Sequence, residues 1–179
     1  MNVGDEKGPI LEDLVTDIGP GARILELGSF VGYSAILMAR HLHAPGHLTS
    51  VDVDADATRV SCDMADFAGL GDRTTFLNGT LESVTDQSTG PYDLVFLDRW
   101  KGIYQNDVEC LLDAGLISAT GIIVADNVGP RFGHNAYVPW ILHRHDFISQ
   151  FVEGHLKYSD IEDRLLISRR NANPVDHAP

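Results

Sequence analysis

The chain of 179 residues has no concentration of positive charge. It carries 13 Lys and Arg against 26 Asp and Glu, for a formal net charge of −13. Proteins that hold nucleic acid by neutralising phosphates need a basic face, so that class is set aside. No apolar run approaches the roughly 18 residues that a membrane-spanning helix requires. The N-terminal stretch is acidic and has no apolar core of a signal peptide, so a cytoplasmic protein is expected, with no membrane partner. There are only two cysteines, Cys62 and Cys110, in neither a zinc pattern nor a disulfide framework, which fits free thiols in a reducing compartment. Two nucleotide signatures are also missing. No G-x-x-x-x-G-K-[ST] loop occurs, and the glycine spacing is not G-x-G-x-x-G, which argues against P-loop chemistry and nicotinamide dinucleotides.

What is present is a sizeable core and a regular alternation. The chain is 44% hydrophobic. Arg23–Leu27, His47–Val53, Thr74–Leu77, Tyr92–Leu97 and Gly121–Ala125 read as short, mostly buried strands. Helices are expected at Tyr33–Leu42, at Ala55–Leu70, with Val60, Met64 and Phe67 on one face, and at Asn106–Gly115. This order predicts an α/β fold with a parallel sheet and helices on both faces. Right-handed crossovers then bring the C-terminal ends of the strands to one edge, where ligands bind. Phe147–Glu153 and Arg164–Ser168 read as two terminal strands, at least one antiparallel. One domain over 1–168 is expected, with a frayed tail over 169–179.

The chemistry lies just beyond the end of each strand. The first ends in Glu26-Leu27-Gly28-Ser29-Phe30-Val31-Gly32, where glycines allow close approach of a ligand to the backbone. A tight turn with no ligand is the plainer reading of that feature alone. The second ends in Asp52, about 20 residues on, where a carboxylate can accept both hydroxyls of a ribose. A nucleoside ligand lacking pyrophosphate fits both, and S-adenosylmethionine is one. The fourth strand ends in Asp98-Arg99-Trp100-Lys101 and the fifth in Asp126-Asn127. On neighbouring strands, Asp98, Asp126 and Asn127 would offer three hard oxygens suited to Mg²⁺, whereas zinc would favour His or Cys. Taken singly, each aspartate could merely cap the next helix. Mg²⁺ chelated by two vicinal hydroxyls would make them more acidic. Lys101 would then take the proton from the reacting oxygen, in a neutral form that a nearby cation and partial burial favour.

These residues resemble a known family. MNVGDEKG at 1–8, LELGSFVGYSA at 25–35, DFAGLGD at 66–72, LNG at 77–79, VFLDRWK at 95–101, ADNV at 125–128 and Ala136-Tyr137-Val138 are similar to the animal-type catechol O-methyltransferases, over residues 1–168. The resemblance implies a Rossmann-like methyltransferase with a mostly parallel seven-stranded sheet in the order 3-2-1-4-5-7-6. It implies S-adenosylmethionine and Mg²⁺ as cofactors and a small catechol as substrate. It makes Lys101 the catalytic base and Asp98, Asp126 and Asn127 the metal ligands. Val3 (through its backbone), Glu26, Gly28, Tyr33 and Ser34 would meet the methionine part of the cofactor and Asp52 its ribose. Gly79, Thr80, Leu81, Glu82 and Arg99 would surround the adenine, with Asp98 beside the cofactor as well. Trp100 and Pro130 would wall the catechol ring, Asn127 and Lys101 would face it, and Glu153 would accept from the non-reacting hydroxyl.

The chain departs from the family pattern in several places. Asp52 replaces a glutamate, Leu81 and Glu82 replace serine and glutamine, and Arg99 replaces a histidine. Arg99 could still stack on the base through its planar guanidinium. The family has helices ahead of MNVGD, where this sequence has Met1, which leaves three readings open: a more open site with broader substrate tolerance, a site covered by a partner subunit, or a truncated sequence. Two alternatives stay open: a related cation-dependent O-methyltransferase for a bulkier phenolic or caffeoyl-type substrate, or a catalytically weak module that only binds the cofactor.

Overall fold

The computed structural model describes residues 3–84, 90–132, 136–157 and 159–171. Its seven strands are β1 Arg23–Leu27, β2 His47–Asp52, β3 Thr74–Asn78, β4 Tyr92–Leu97, β5 Ile117–Ala125, β6 Phe147–His155 and β7 Glu162–Arg170. They form one sheet in the order β3-β2-β1-β4-β5-β7-β6. The first five pair in parallel, while β7 runs antiparallel to both β5 and β6. The expected order and the antiparallel ending are therefore both found. The helices are α1 Gly4–Ile18, α2 Tyr33–Ala39, α3 Ala55–Phe67, α4 Leu81–Val84, α5 Tyr104–Asp113 and α6 Tyr137–Leu142. None is long and apolar enough to cross a membrane among the described residues.

The central strands read as nearly continuous apolar runs because both their faces are covered. Alternate residues point to opposite sides. Ile24, Leu94, Phe96, Val124, Leu165 and Ile167 meet α1 and α2 on one face. Leu25, Val95, Leu97, Ile123, Ala125 and Leu166 meet α5 and α6 on the other.

Several expectations need correction. α1 goes beyond the elements expected locally, since Gly4, Gly8 and Pro9 blur a helical pattern. Tertiary burial of Leu11, Leu14 and Val15 overrides that weak propensity. The α3 stripe Val60, Met64 and Phe67 is not the core face: Phe67 is 89% exposed and Met64 44%. The helix packs instead through Ser61 and Ala65. Space decides this, because a Cβ placed on Gly32 would lie 3.1 Å from the Ser61 backbone, too close for large side chains. β5 begins four residues earlier than expected, because a shift in register between Tyr92 and Leu94 accommodates Ser118–Gly121. β7 continues through Arg169 and Arg170, which pair with β5 and β6, so the tail does not begin at 169. The remainder of the expected tail, 172–179, lies outside the described residues.

Candidate active site

Backbone pairing continues just past the strand ends and gathers the site residues on one edge. Gly28 N–H donates to Val51 O (2.9 Å), Asp98 N–H to Leu27 O (3.0 Å) and Asp126 N–H to Leu97 O (2.9 Å). Because β1, β4 and β5 are adjacent, Asp98 and Asp126 come at the ends of neighbouring strands. A cavity of about 400 Å³ opens beside them. Its wall includes Gly28, Phe30 and Asp52 from the β1 and β2 ends, and Asp98, Arg99, Lys101, Asn127 and Phe132 from the β4 and β5 ends. The sequence thus located one real edge cleft, as the switch-point rule for open α/β sheets requires.

Gly28 is required by sterics. Its φ is +105°, and a Cβ there would fall 2.2 Å from the Asp98 carbonyl oxygen. Glu26, at 0% exposure, lies beneath this turn. It accepts hydrogen bonds from Ser34 Oγ (2.5 Å) and from Ser50 Oγ. Burial pushes its carboxyl up to about 7, against the pull of the two serine donors.

Asp52 lines the cavity, but it also fastens the glycine turn. Its Oδ2 accepts from Ser29 N (2.9 Å) and Phe30 N (3.0 Å), and its Oδ1 accepts from Asp54 N (3.0 Å). Each carboxylate oxygen has two lone-pair sites, so contact with a ligand remains open to it. Gly79 N–H donates to the Asp52 carbonyl (2.9 Å). Thr80 Oγ1 accepts from Ser83 N (3.3 Å), and Leu81 is buried. The Glu82 carboxyl is held below its usual range by its own backbone N–H and by Thr80. Residues 79–82 adjoin the β2 end but do not line this cavity. Val3 is buried at the start of α1, and Tyr33 is half-buried with the Lys157 ammonium 5.0 Å from its ring centroid.

Arg99 is held from behind. Its Nε donates to Asp107 Oδ2 (2.9 Å) and its Nη2 to the other oxygen, a bidentate clamp from α5. Burial raises the Asp107 carboxyl, partly countered by Arg99. The guanidinium is therefore oriented before any ligand arrives.

At the far end, Lys101 Nζ donates to Asn127 Oδ1 (2.8 Å) and lies 3.8 Å from Asp98 Oδ1. Burial raises the Asp98 carboxyl, and burial followed by the Asp98 charge raises that of Asp126. Two buried carboxylates that oppose each other's ionisation, with an amide oxygen beside them, form a donor set that a hard divalent cation would relieve. An ammonium already sits on one of these oxygens and near a second. The residues therefore fit Mg²⁺. Among the described residues no group of three His, Cys, Asp or Glu is placed to hold a metal ion, so the candidate set is two carboxylates and an amide.

Two residues missed from the sequence complete this corner. Lys7, 1% exposed, bonds to Asp126 and to Asp163 Oδ2 (2.5 Å). Burial works against its charge, but the two carboxylates outweigh it and raise its pKa. Burial likewise opposes ionisation of Asp163, and the donors Lys7 and Asn127 reverse that, leaving its carboxyl lowered. The signals were faint. Lys7 stands in the buried stripe of α1 with Leu11 and Leu14, and Asp163 alternates with Leu165 and Ile167 on an inward face.

The expected substrate residues are not gathered as closely. Trp100 is 76% exposed and Pro130 is exposed, and neither lines the cavity. Glu153 sits on the edge strand β6, where it accepts from Arg164 Nε (2.8 Å), also away from the cavity lining. Phe132, which sequence reasoning passed over, does line it, with its ring centroid 5.6 Å from Lys101 Nζ.

The O-methyltransferase family profile matches residues 1–132. The chain belongs to the O-methyltransferase family. This family member is 33% identical over 170 residues to catechol O-methyltransferase of Mus musculus, covering 92% of this chain and 63% of that protein. It is 37% identical over 133 residues to catechol O-methyltransferase of Sus scrofa, covering 72% of this chain and 71% of that protein. The chain thus spans a little under two thirds of the mouse protein's length. Its fold matches the O-methyltransferase from Bacillus cereus, solved in complex with SAH, with a TM-score of 0.82 at 22% identity, over 95% of this chain and 83% of that one.

Proposed function

We propose that this O-methyltransferase family member transfers a methyl group from S-adenosylmethionine to one hydroxyl of a small catechol-type molecule, with Mg²⁺ and with Lys101 as general base. The observation that carries the reading is the convergence of Lys101, Asp98 and Asn127 on the cavity wall, with Asp126 buried beside them. The catechol O-methyltransferase relatives and the SAH-bound fold neighbour support it.

Asp98, Asp126 and Asn127 would hold Mg²⁺, which when bound supplies positive charge that makes a vicinal diol more acidic. S-adenosylmethionine supplies an electrophilic methyl on a sulfonium. The remaining work falls to the chain. The Gly28 turn admits the methionine part of the cofactor, with Glu26 and Ser34 beneath it. Asp52, on the cavity wall, would accept the ribose hydroxyls, and Arg99, held by Asp107, would stack its guanidinium on the adenine. Lys101 Nζ receives the proton of the attacking hydroxyl, and Asn127 Oδ1 keeps the amine aimed. Lys101 is 23% exposed in its side chain, and the rings of Tyr104 and Phe132 flank its Nζ at 5.9 and 5.6 Å, which limits the water around it. Fixed geometry of this kind can supply several kcal/mol of the barrier reduction, on the order of 7 to 11 in the best cases.

The exposure of Trp100 favours a second reading for the substrate, a bulkier phenol or caffeoyl-type acceptor. The two cysteines form no disulfide, in keeping with a cytoplasmic setting. A methyl-transfer assay on a catechol, a matched monophenol and a caffeoyl ester, with Mg²⁺ and with EDTA, tests the proposal. Catechol turnover that needs Mg²⁺ is expected. Equal methylation of the monophenol, or indifference to EDTA, would rule out bidentate chelation.

A further inference from the structure

We propose that Asp163, on β7, is a positioning residue that works with Lys7 of α1 to set Asn127 and Asp126 for a divalent cation. This role rests on the proposed metal site.

Asp163 is 0% exposed and receives three donors: Lys7 Nζ (2.5 Å) and Asn127 Nδ2 (2.9 Å) at Oδ2, and Gly129 N (3.3 Å) at Oδ1. The contact with Asn127 matters most. An amide side chain presents either its oxygen or its NH₂ to a neighbour, and the two orientations have nearly the same shape. A carboxylate only accepts, so Asp163 holds the NH₂ end and turns Oδ1 toward the cavity. Lys101, which only donates, meets that Oδ1 at 2.8 Å. Partners on both sides thus demand the same orientation. The reverse would point N–H groups at a cation and lose the site one of its three oxygens. The backbone assists, with Asn127 at φ +55° and the next turn wrapped so tightly that a Cβ on Gly129 would lie 2.7 Å from Asp163 Cα.

The same carboxylate governs Asp126. Oδ1 of Asp126 takes the Lys7 ammonium and the Asn127 N–H (2.7 Å), and Oδ2 is engaged by neither. Lys7 shares its charge between Asp126 and Asp163. Were Asp163 neutral, the ammonium would have Asp126 as its one anionic partner and would compete more strongly with a metal for it. The charge count points the same way. Asp98, Asp126 and Asp163 contribute −3 and Lys7 and Lys101 +2 in full ionisation, leaving −1, and loss of the Asp163 charge would leave zero. In metal sites, partners behind the ligands commonly account for about 10- to 100-fold in affinity.

The test is Mn²⁺ binding to the full chain without substrate, monitored by electron paramagnetic resonance, in parallel with binding of S-adenosylhomocysteine. Mn²⁺ accepts the same oxygen ligands as Mg²⁺. Asp163→Asn should raise the Mn²⁺ Kd about 10-fold or more and leave the S-adenosylhomocysteine Kd within about twofold. Removing one partner of a buried charge can unfold a protein, so Lys7→Met/Asp163→Asn, which removes one charge of each sign, serves as the second variant. It keeps the net charge and removes the ammonium that competes for Asp126, so it should lose Mn²⁺ affinity only through Asn127, by less than Asp163→Asn but still several-fold. An unchanged Mn²⁺ Kd in either folded variant overturns the inference alone. An equal loss of S-adenosylhomocysteine binding also overturns it, since the role would then be general support of the fold. Failure of the parent chain to bind Mn²⁺ overturns the metal reading itself.

Discussion

Replacing Glu26 by glutamine should change how stability depends on pH. Glu26 is fully buried, with Ser34 and Ser50 as its side-chain donors among the described residues, and its carboxyl is raised from an ordinary 4.5 to about 7. Between those values the folded chain holds a proton that the unfolded chain has released. Stability therefore falls as pH rises through this window, and the stabilisation is present at the acid end. Each decade of the gap is worth about 1.4 kcal/mol, and allowing for partial ionisation at the ends, Glu26 should cost about 2.5 kcal/mol on going from pH 5 to pH 8. Glutamine has nearly the same shape and does not titrate, and the serine hydroxyls can either donate or accept to suit it. All other groups titrate alike in both proteins, so the comparison isolates this one. Urea unfolding of parent and Glu26→Gln at pH 5, 6, 7 and 8 measures the effect. The variant should gain on the parent by about 2.5 kcal/mol across the series. Parallel stability curves over that range would refute the reasoning, because the buried carboxyl would then be ionised throughout, as it is in the unfolded chain.

Two further outcomes are expected from the same geometry. Lys101→Met should lower kcat by about 100-fold or more, the usual range for a lost general base, while cofactor affinity measured by calorimetry stays within about twofold. An unchanged kcat would remove the general-base role. Gly28→Ala should destabilise the fold well beyond Gly19→Ala, although both glycines have φ near +105° (+105° and +109°). A Cβ on Gly19 meets nothing within 4 Å, so it bears only the backbone strain, about 1 to 2 kcal/mol. The Cβ on Gly28 also strikes the Asp98 carbonyl at 2.2 Å, adding roughly 1 to 3 kcal/mol of overpacking. Equal losses in urea unfolding would mean that the close approach of β1 and β4 has slack.

How much could be read in advance varied from element to element. Buried parallel strands such as Tyr92–Leu97 were plain because both faces are apolar, and a run of that kind has few other homes. The α3 stripe misled for the opposite reason. Periodicity shows that residues share a helix face, but not which face is covered, and at Gly32 only Ser61 and Ala65 are small enough to meet the neighbouring turn. In the candidate site, the gathering of Asp98, Lys101, Asp126 and Asn127 was legible because each comes after a strand that the topology carries to one edge. Glu153 was not, since its place depends on the register of β6 against β7, where Arg164 is its partner.

The sequence by itself determined the alternation of strands and helices, the edge on which the chemistry collects, and the residue types there, because apolar periodicity and strand-end position are local properties of the chain. Only the tertiary structure decided which groups stand behind them. Lys7 and Asp163 are 156 residues apart, yet they share one buried hydrogen bond. Arg99 is oriented by Asp107 from the next helix, and the glycine turn is fastened by Asp52 from the neighbouring strand. Such pairings have no local pattern. They arise because a buried polar group must find a partner, and packing alone decides which one is within reach.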